Sequence, residues 1–372
     1  MLLSSPMMFR ASLLALFAAA MPAAAADPAP GPTFADAGLY MIREGDLMGL
    51  IDRKGKVVLA PEFEELRIGD GLVMARKGYR VAYFDAAGTM VIKPQDRATV
   101  PFAEGLVPVP NGKGMGYADK ALNVVLPGPY AQAQPFSGGL AAVAVPDDWG
   151  VPKFGFIDTA GKLVIPAKYD KAGAFVDGVA RVEENKRPRL IDRTGRDITP
   201  EGVDFVGITR EGMTRVWRGR AQGFANGKGA VAVPIEWEGA REFQEGLAAV
   251  YKDQKYGFVD KSGKVVIAPR FEQAESFSDG LALVREDGKA AYIDKTGKVA
   301  FRPDAERAFP FADGRAAFVK DKKYGFVDRS GKVVVEPVYS YARPYEKGLA
   351  FVLDKAKSMF IDDKGGVVWS KP

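Results

Sequence analysis

The sequence contains no cysteine and no histidine among its 372 residues. The absence of cysteine excludes disulfide bonds and thiolate nucleophiles, and the absence of histidine excludes an imidazole general base. Zinc sites built from thiolate or imidazole ligands are excluded with them. Hydrophobic residues make up 47% and charged residues 27% of the chain, which is typical of a globular protein and not of a disordered one.

The motifs of several large enzyme classes are also missing. No G-x-S-x-G nucleophile elbow, G-x-G-x-x-G dinucleotide loop or Walker phosphate loop occurs. Two carboxylates can hydrolyse a glycoside, and acidic pairs such as Glu64 and Glu65 do occur. Neighbours on a strand, however, point to opposite faces. We therefore predict no enzyme activity, catalytic residue, cofactor or metal site, with a carboxylate-dependent hydrolase as the alternative.

The first 26 residues have the features of a secretory signal peptide. Arg10 precedes an apolar stretch at residues 11–20, and Ala24 to Ala26 supply the small residues of a cleavage site. The stretch is too short to cross a bilayer as a helix, and no run of about 18 apolar residues follows. We expect cleavage near Ala26, a proline-rich leader at residues 27–37, and a mature periplasmic or secreted chain without a transmembrane segment.

A repeat of about 34 residues fills the rest of the chain. Glycines followed mostly by Leu or Val recur at positions 38, 71, 105, 139, 178, 212, 246, 280, 314 and 348. An aspartate, or Asn226 in one case, follows each glycine by 14 positions. In the fourth unit, five inserted residues around Pro146–Gly150 move it to Asp158. We therefore divide residues 38–372 into ten repeats that start at these glycines.

Each repeat predicts three short strands. In residues 246–279 they are Leu247–Tyr251, Tyr256–Asp260 and Lys264–Ile267, which are rich in β-forming residues. The segment Asp260–Gly263 predicts a tight turn, because aspartate can accept a backbone hydrogen bond two residues on and glycine tolerates a positive φ. In nine of the ten repeats a proline lies eight or nine residues after this turn residue, and we expect it to end the third strand, because proline cannot donate to the ladder. One carboxylate per turn is too few for calcium, which takes six to eight oxygen ligands.

Aromatic residues recur at two places between the repeats. One series is Phe63, Tyr130, Tyr169, Trp237, Phe271 and Tyr339, and the other is Phe102, Phe136, Phe175, Phe243, Phe277, Phe311 and Tyr345. A three-stranded sheet cannot bury both of its faces alone, so we predict that these aromatics form the core between neighbouring repeats. A ligand-binding aromatic stripe is the alternative.

The middle strand of the repeat carries a family resemblance. Its pattern of aromatic, Gly, aromatic, Val or Ile, and Asp appears at residues 154–158, 256–260 and 324–328, with looser copies at 48–52 and 115–119. With the Gly-Lys-Val-Val/Leu-Ile and Pro-x-Phe/Tyr segments that follow, these motifs resemble the WG-repeat family of bacterial proteins over about residues 38–372. The chain departs from the family where Tyr, Phe or Met replaces the Trp of the Trp-Gly pair. The strand glycine predicts close approach of a neighbouring backbone or ring.

Ten repeats can form an open array or a closed ring. Propellers normally have four to eight blades of four strands, so ten three-stranded units favour an open β superhelix or solenoid. One or two propeller-like closed rings are the alternative, and two rings of about five units would fit the weaker repeat pattern at residues 178–245.

Positive charge is concentrated in one region. The formal net charge is +5, and residues 186–220 hold nine basic and five acidic residues. Strand alternation places Arg215 and Trp217 on one face, a combination that suits glycans or anionic surfaces. Solvated arginines without a ligand are the alternative. The candidate binding patch is Arg187, Arg189, Arg215, Trp217, Arg218 and Arg220.

These features favour an exported, non-catalytic repeat scaffold that binds a protein or a component of the cell envelope. A module for carbohydrate or another anionic polymer is the alternative. The export signal and the modest net charge disfavour nucleic acid.

Overall fold

The computed structural model describes residues 33–112, 114–147 and 149–371. In this part of the chain, 37 strands form ten antiparallel sheets, and the one helix is a 3-10 turn, η1, at Ala35–Ala37. The prediction of an all-β fold is confirmed. The predicted signal peptide at residues 1–26 and most of the leader lie outside the described residues.

The first five sheets, blades 1 to 5, follow one another along the chain. Their strands are β1 (Leu39–Glu44), β2 (Leu47–Asp52) and β3 (Val57–Phe63) in blade 1; β4 (Glu65–Gly69), β5 (Leu72–Lys77), β6 (Arg80–Phe84) and β7 (Met90–Gln95) in blade 2; β8 (Val107–Pro110), β9 (Met115–Ala118) and β10 (Val124–Tyr130) in blade 3; β11 (Gln132–Ala133), β12 (Leu140–Pro146), β13 (Pro152–Asp158) and β14 (Leu163–Tyr169) in blade 4; and β15 (Lys171–Val176), β16 (Val179–Glu184) and β17 (Arg187–Asp192) in blade 5.

Blades 6 to 10 each contain four strands. They are β18 (Phe205–Arg210), β19 (Met213–Arg218), β20 (Ala221–Asn226) and β21 (Val231–Trp237) in blade 6; β22 (Gly239–Ala240), β23 (Leu247–Lys252), β24 (Lys255–Asp260) and β25 (Val265–Phe271) in blade 7; β26 (Gln273–Ala274), β27 (Ala282–Glu286), β28 (Lys289–Ile293) and β29 (Val299–Phe301) in blade 8; β30 (Arg307–Ala312), β31 (Arg315–Lys320), β32 (Lys323–Asp328) and β33 (Val333–Tyr339) in blade 9; and β34 (Tyr341–Ala342), β35 (Ala350–Asp354), β36 (Lys357–Ile361) and β37 (Val367–Ser370) in blade 10.

Seven blades therefore have four strands, and the prediction of three strands per unit is wrong for them. The additional strand, the inner strand, comes from the segment before each repeat glycine. In blade 7, Glu245 and Gly246 have φ values of 53° and 85°, which is the left-handed pair that a type I′ hairpin turn requires. The three predicted strands are thus the second, third and outer strands of a blade. The prediction that a proline ends the last of them is wrong, because β25 continues through Pro269 to Phe271 at the edge of the sheet, where proline is tolerated. Among the described residues, blade 3 has no inner strand and blade 5 has no outer one, whereas the positions of an inner strand in blade 1, residues 31–32, lie outside the described range.

The ten blades close into one ring. Ten apolar clusters lie one at each interface between neighbouring blades, including an interface between blades 10 and 1. At this seam the Tyr40 hydroxyl donates to the carbonyl oxygen of Lys347 at 2.7 Å, and the rings of Tyr40 and Phe360 lie 5.7 Å apart. The Lys347 ammonium is 3.4 Å from the Asp36 carboxylate. The molecule is a ten-bladed propeller, so the open superhelix is wrong and the single closed ring of the alternative is correct.

The predicted aromatic core between repeats is confirmed. Each member of the second series contacts an aromatic ring on the third strand of the preceding blade, with centroids 4.8 to 5.1 Å apart in all seven pairs. Phe258 and Phe277, both fully buried, are one such pair. Edge-to-face pairs of this kind stabilise beyond the area that they bury. All seven rings of this series are at most 3% exposed, so they serve the interface between blades in the way that the core prediction requires.

Candidate functional site

The recurrent aspartates hold turns between the third and outer strands, as predicted. The Asp260 carboxylate accepts the backbone N–H groups of Ser262 and Lys264 at 2.9 and 3.1 Å. The Ser262 hydroxyl also donates to it at 2.6 Å, and this bond lowers the pKa of Asp260. The same two backbone bonds occur at all ten positions, namely Asp52, Asp85, Asp119, Asp158, Asp192, Asn226, Asp260, Asp294, Asp328 and Asp362.

A second set of acidic residues links neighbouring blades. Glu245, which precedes the repeat glycine of blade 7, accepts the backbone N–H of Gly280 in blade 8 at 3.0 Å and lies 3.2 Å from the Lys295 ammonium. The same bond joins Asp70 to Gly105, Glu104 to Gly139, Asp177 to Gly212, Glu211 to Gly246, Asp279 to Gly314 and Asp313 to Gly348. This role was not predicted from the sequence, although an acidic residue before the repeat glycine was its visible signal.

Two members of the candidate binding patch, Arg215 and Trp217, lie together on β19. The Arg215 guanidinium lies over the Trp217 ring at 4.8 Å from its centroid, so the two side chains share a face as predicted. The Trp217 ring in turn contacts Phe205, with centroids 5.1 Å apart. Arg181 of blade 5 lies over Phe205 at 4.8 Å. The result is a cation–aromatic stack that crosses the interface between blades 5 and 6.

Arg215 also has a partner in the next blade. Its Nη2 atom lies 2.8 Å from Oε1 of Glu242, and its Nη1 donates to the carbonyl oxygen of Ala240. Burial raises the pKa of Glu242, while the charges of Arg215 and Arg210 act in the opposite direction. Arg215 therefore joins blades 6 and 7 and compensates a buried carboxylate, a structural role that the sequence did not reveal.

The other four patch residues lie nearer the surface. Arg218 donates to the carbonyl oxygens of Glu201 and Gly202 at 3.0 and 3.1 Å, and Arg220 is exposed in the turn between β19 and β20. Arg187 is exposed at the start of β17 in blade 5. Nε of Arg189 lies 3.7 Å from Asp197. The structure thus brings Arg215 and Trp217 into contact and leaves Arg187, Arg218 and Arg220 exposed.

Charge reversal should separate the structural arginine from the exposed one. We expect Arg215→Glu to lower the free energy of unfolding by about 2–3 kcal/mol, because it places a second carboxylate against buried Glu242. Arg220→Glu, in an exposed turn, should change it by no more than about 0.5 kcal/mol. Urea denaturation followed by tryptophan fluorescence measures both. Equal stability of the two variants would contradict the structural role of Arg215.

Hairpin tips between second and third strands differ from blade to blade. The longest is in blade 4, where the inserted residues extend β12 and β13 to a last pair at Pro146 and Pro152. Trp149 at its tip is 89% exposed. Strands alternate in direction, so these tips share one face of the ring, and the uniform aspartate turns occupy the other. The tip face is thus the variable one.

A cavity among the described residues lies at the centre of the ring and has a volume of about 1080 Å³. It is lined by inner strands or the segments in their place from blades 10, 1, 2, 3 and 4. Apolar side chains such as Met41, Phe102 and Phe351 line it together with the guanidinium groups of Arg67 and Arg343.

Comparison with protein families supports the resemblance that the sequence motifs indicate. The family model described as "WG containing repeat" matches residues 48–80, 115–145, 154–187, 223–256, 256–289, 291–324 and 324–357, together more than half of the chain. No curated protein matches the sequence. None of the helices in the residues that the structure covers has the length and apolarity to cross a bilayer.

Two solved structures are similar to this chain at low sequence identity. A eukaryotic initiation factor is 10% identical over 90% of this chain and 96% of its own, with a TM-score of 0.50. AztD from Citrobacter koseri is 15% identical over 80% of this chain and 93% of its own, with a TM-score of 0.31. The similarity to the initiation factor concerns the fold alone.

Proposed function

The chain belongs to the WG-repeat family, and from that premise we propose that it is an exported, non-catalytic scaffold that binds a protein or a component of the cell envelope. One observation carries the proposal. The polar residues that recur in the repeats are bonded within a turn, as Asp260 is, or between blades, as Glu245 is. They build the ring, and so the positions that vary between blades are those free to bind a partner.

The tip face has the features of a binding surface. Its hairpins differ in length and sequence, and it carries Trp149, which is 89% exposed, and Tyr79, which is 79% exposed. Conspicuously exposed aromatic side chains are enriched at protein interfaces. The aspartate turns of the opposite face repeat one sequence pattern and serve the fold.

Photo-crosslinking tests this proposal. Mature protein, residues 27–372, would carry a photoreactive phenylalanine at Trp149 or Tyr79 and be irradiated in a native envelope preparation. We expect discrete adducts from both sites and none from the matched site Lys261, which lies in an aspartate turn on the opposite face. Adducts from Lys261 but not from the tips would contradict the placement of the site. Turnover of a substrate that a single Asp or Glu substitution abolishes would contradict a non-catalytic role.

The exposed arginines favour a second candidate, a module for carbohydrate or another anionic polymer. Arg187, Arg218 and Arg220 lie at or near hairpin tips of neighbouring blades 5 and 6. Contacts between exposed charges weaken as salt rises, because the Debye length is about 8 Å at physiological ionic strength. Salt-sensitive glycan or peptidoglycan binding that is lost when these three arginines are replaced by glutamate would favour this candidate over a protein partner.

A further inference from the structure

The tip of the blade 4 hairpin has the same turn as the opposite face of the ring. The Asp147 carboxylate accepts the backbone N–H groups of Trp149 and Val151 at 2.9 and 2.8 Å. The N–H of Asp147 donates to the carbonyl oxygen of Val151, and the N–H of Gly150 donates to that of Asp147, both at 2.9 Å. Asp260 forms the same four bonds in its turn. The inserted residues thus place a further aspartate turn at a hairpin tip.

This turn fixes the backbone around Trp149. Gly150 has a φ of 77°, and Gly263, the equivalent glycine of blade 7, has a φ of 87°. At the base of the turn, Pro146 and Pro152 form the last pair of the ladder, and the ring of each proline restricts its own φ. The backbone that carries Trp149 is therefore held by hydrogen bonds and by proline rings before any partner binds.

Trp149 is the exception among the four tryptophans of the chain. Trp237 is buried in the cluster between blades 6 and 7. The rings of Trp217 and Trp369 lie 5.1 and 6.1 Å from phenylalanine rings. Trp149 is 89% exposed, so its indole contributes little to the packing of the ring. Tryptophan is enriched among the few residues that dominate the binding energy of protein interfaces.

The surroundings of Trp149 favour a concave, apolar partner. A side chain that is 89% exposed projects from the surface and can be enclosed only by a pocket on another molecule. Binding of a sugar on a ring also requires polar groups that fix its hydroxyls. Here the described neighbour beyond the turn glycine is Val151, which is 51% exposed, and Oδ1 of Asp147 already accepts two N–H groups. These features suit the pocket of a folded protein better than a glycan.

We propose that Trp149 is the anchor by which the blade 4 hairpin binds a pocket on a protein partner. The indole fills an apolar pocket, and Val151 contacts its rim. Such an anchor supplies much of the affinity of an interface, and a backbone that is fixed in advance loses little conformational entropy on binding. The inference rests on the proposed scaffold function and names the residue that dominates binding and the chemistry of the partner.

A crosslinking titration measures the contribution of the indole. Mature protein with a photoreactive phenylalanine at Tyr79, which is 79% exposed on the same face, is titrated into an envelope preparation, and the concentration that gives half-maximal adduct yield is recorded. Trp149→Ala should raise this concentration at least tenfold. Trp149→Phe, which keeps an aromatic ring, should raise it less. An unchanged titration in Trp149→Ala would overturn the proposal.

A second pair of variants tests the fixed backbone. Asp147→Ala keeps the indole but removes two of the four turn bonds, and it should raise the half-maximal concentration at least threefold. Asp85→Ala is the matched control, because it removes the same two bonds, to Ala87 and Thr89 at 2.9 and 2.8 Å, from an aspartate turn of the opposite face. It should change the titration less than twofold. Equal shifts in the two variants would overturn the role of the turn in holding the anchor.

Pretreatment of the envelope preparation identifies the class of partner. Digestion with an immobilised protease, removed before the protein is added, should abolish the adducts that depend on Trp149. Periodate oxidation of glycans should leave them unchanged. Adducts that depend on Trp149, survive the protease and disappear after periodate would overturn the protein partner in favour of a glycan.

The same titration separates this inference from the scaffold function. Adducts from Tyr79 that form equally well in Trp149→Ala would overturn the anchor and leave the scaffold function intact. Absence of adducts from both Tyr79 and Trp149 in the otherwise unaltered protein would overturn both.

Discussion

Deletion of one whole repeat, residues 280–313, should prevent the ring from closing. The remaining nine units keep their phase but cannot span the arc of ten, so the Tyr40 hydrogen bond to Lys347 and the apolar cluster at the seam are lost. An open array would tolerate the deletion, because each unit contacts only its neighbours. We expect loss of the cooperative thermal transition, measured by circular dichroism, and an elution volume in size-exclusion chromatography that differs from that of the full-length ring.

The matched control shortens the chain without removing a blade. Replacing residues 146–152 by a two-residue Asn-Gly turn restores the hairpin length of the other repeats and should leave the melt cooperative and the elution volume that of an intact ring. A repeat deletion that melts as cooperatively as this control would mean that the seam contributes little to the fold.

The second large effect is expected at the third-strand glycine of blade 7. A Cβ atom on Gly257 would lie 2.5 Å from the carbonyl oxygen of Ile267 and 2.6 Å from the nitrogen of Pro269. Both atoms belong to the backbone of β25 and cannot move without breaking the sheet register. We expect Gly257→Val to lower the free energy of unfolding by about 3 kcal/mol or more, measured by chemical denaturation.

Gly246→Ala provides the comparison. Gly246 has a φ of 85°, but no atom lies within 4 Å of the position that a Cβ atom would take there. Only backbone strain opposes the substitution, and its expected cost is about 1 kcal/mol. If Gly246→Ala lowered the free energy of unfolding more than Gly257→Val does, the close approach of the outer strand would not be the reason for glycine at position 257.

The features that repeat within one unit could be predicted from the sequence. Asp260 and Gly263 predict their turn, because the aspartate accepts nearby backbone hydrogen bonds and the glycine takes a positive φ. The recurrence of an aromatic at Phe277 indicates where the next blade begins. These predictions depend on contacts within about 20 residues along the chain, or on contacts that recur at every interface. Periodicity therefore supplied the strands, turns and core without knowledge of the overall shape.

Closure could not be predicted in the same way. It depends on a small rotation between neighbouring blades that is summed over the whole ring, and no single repeat reveals that angle. The short inner strands were also missed, because β22 has only two residues and its identity depends on the left-handed Glu245–Gly246 turn. A repeat with three predicted strands instead of four does not match the four-stranded blade of a propeller, and for this reason the sequence favoured an open superhelix.

The candidate patch shows a different limit. Alternation along β19 placed Arg215 and Trp217 on one face correctly, but the carboxylate that holds Arg215 belongs to Glu242 in the following blade. Charge counted along the chain does not distinguish an arginine that joins two blades from one that faces solvent. Arg220 and Arg187 keep the exposure that the binding hypothesis needs.

The extended hairpin of blade 4 also makes the ring a display scaffold for engineering. One additional pair, Pro146 with Pro152, continues the ladder beyond the six pairs found in blade 7, and the blade keeps four strands. The hairpin is thus longer at its tip, and the blade below the tip has the same four strands as the regular blades. Foreign loops could be grafted onto several tips of the same face at once, and a target with repeated epitopes would then be bound with an avidity that no single loop provides.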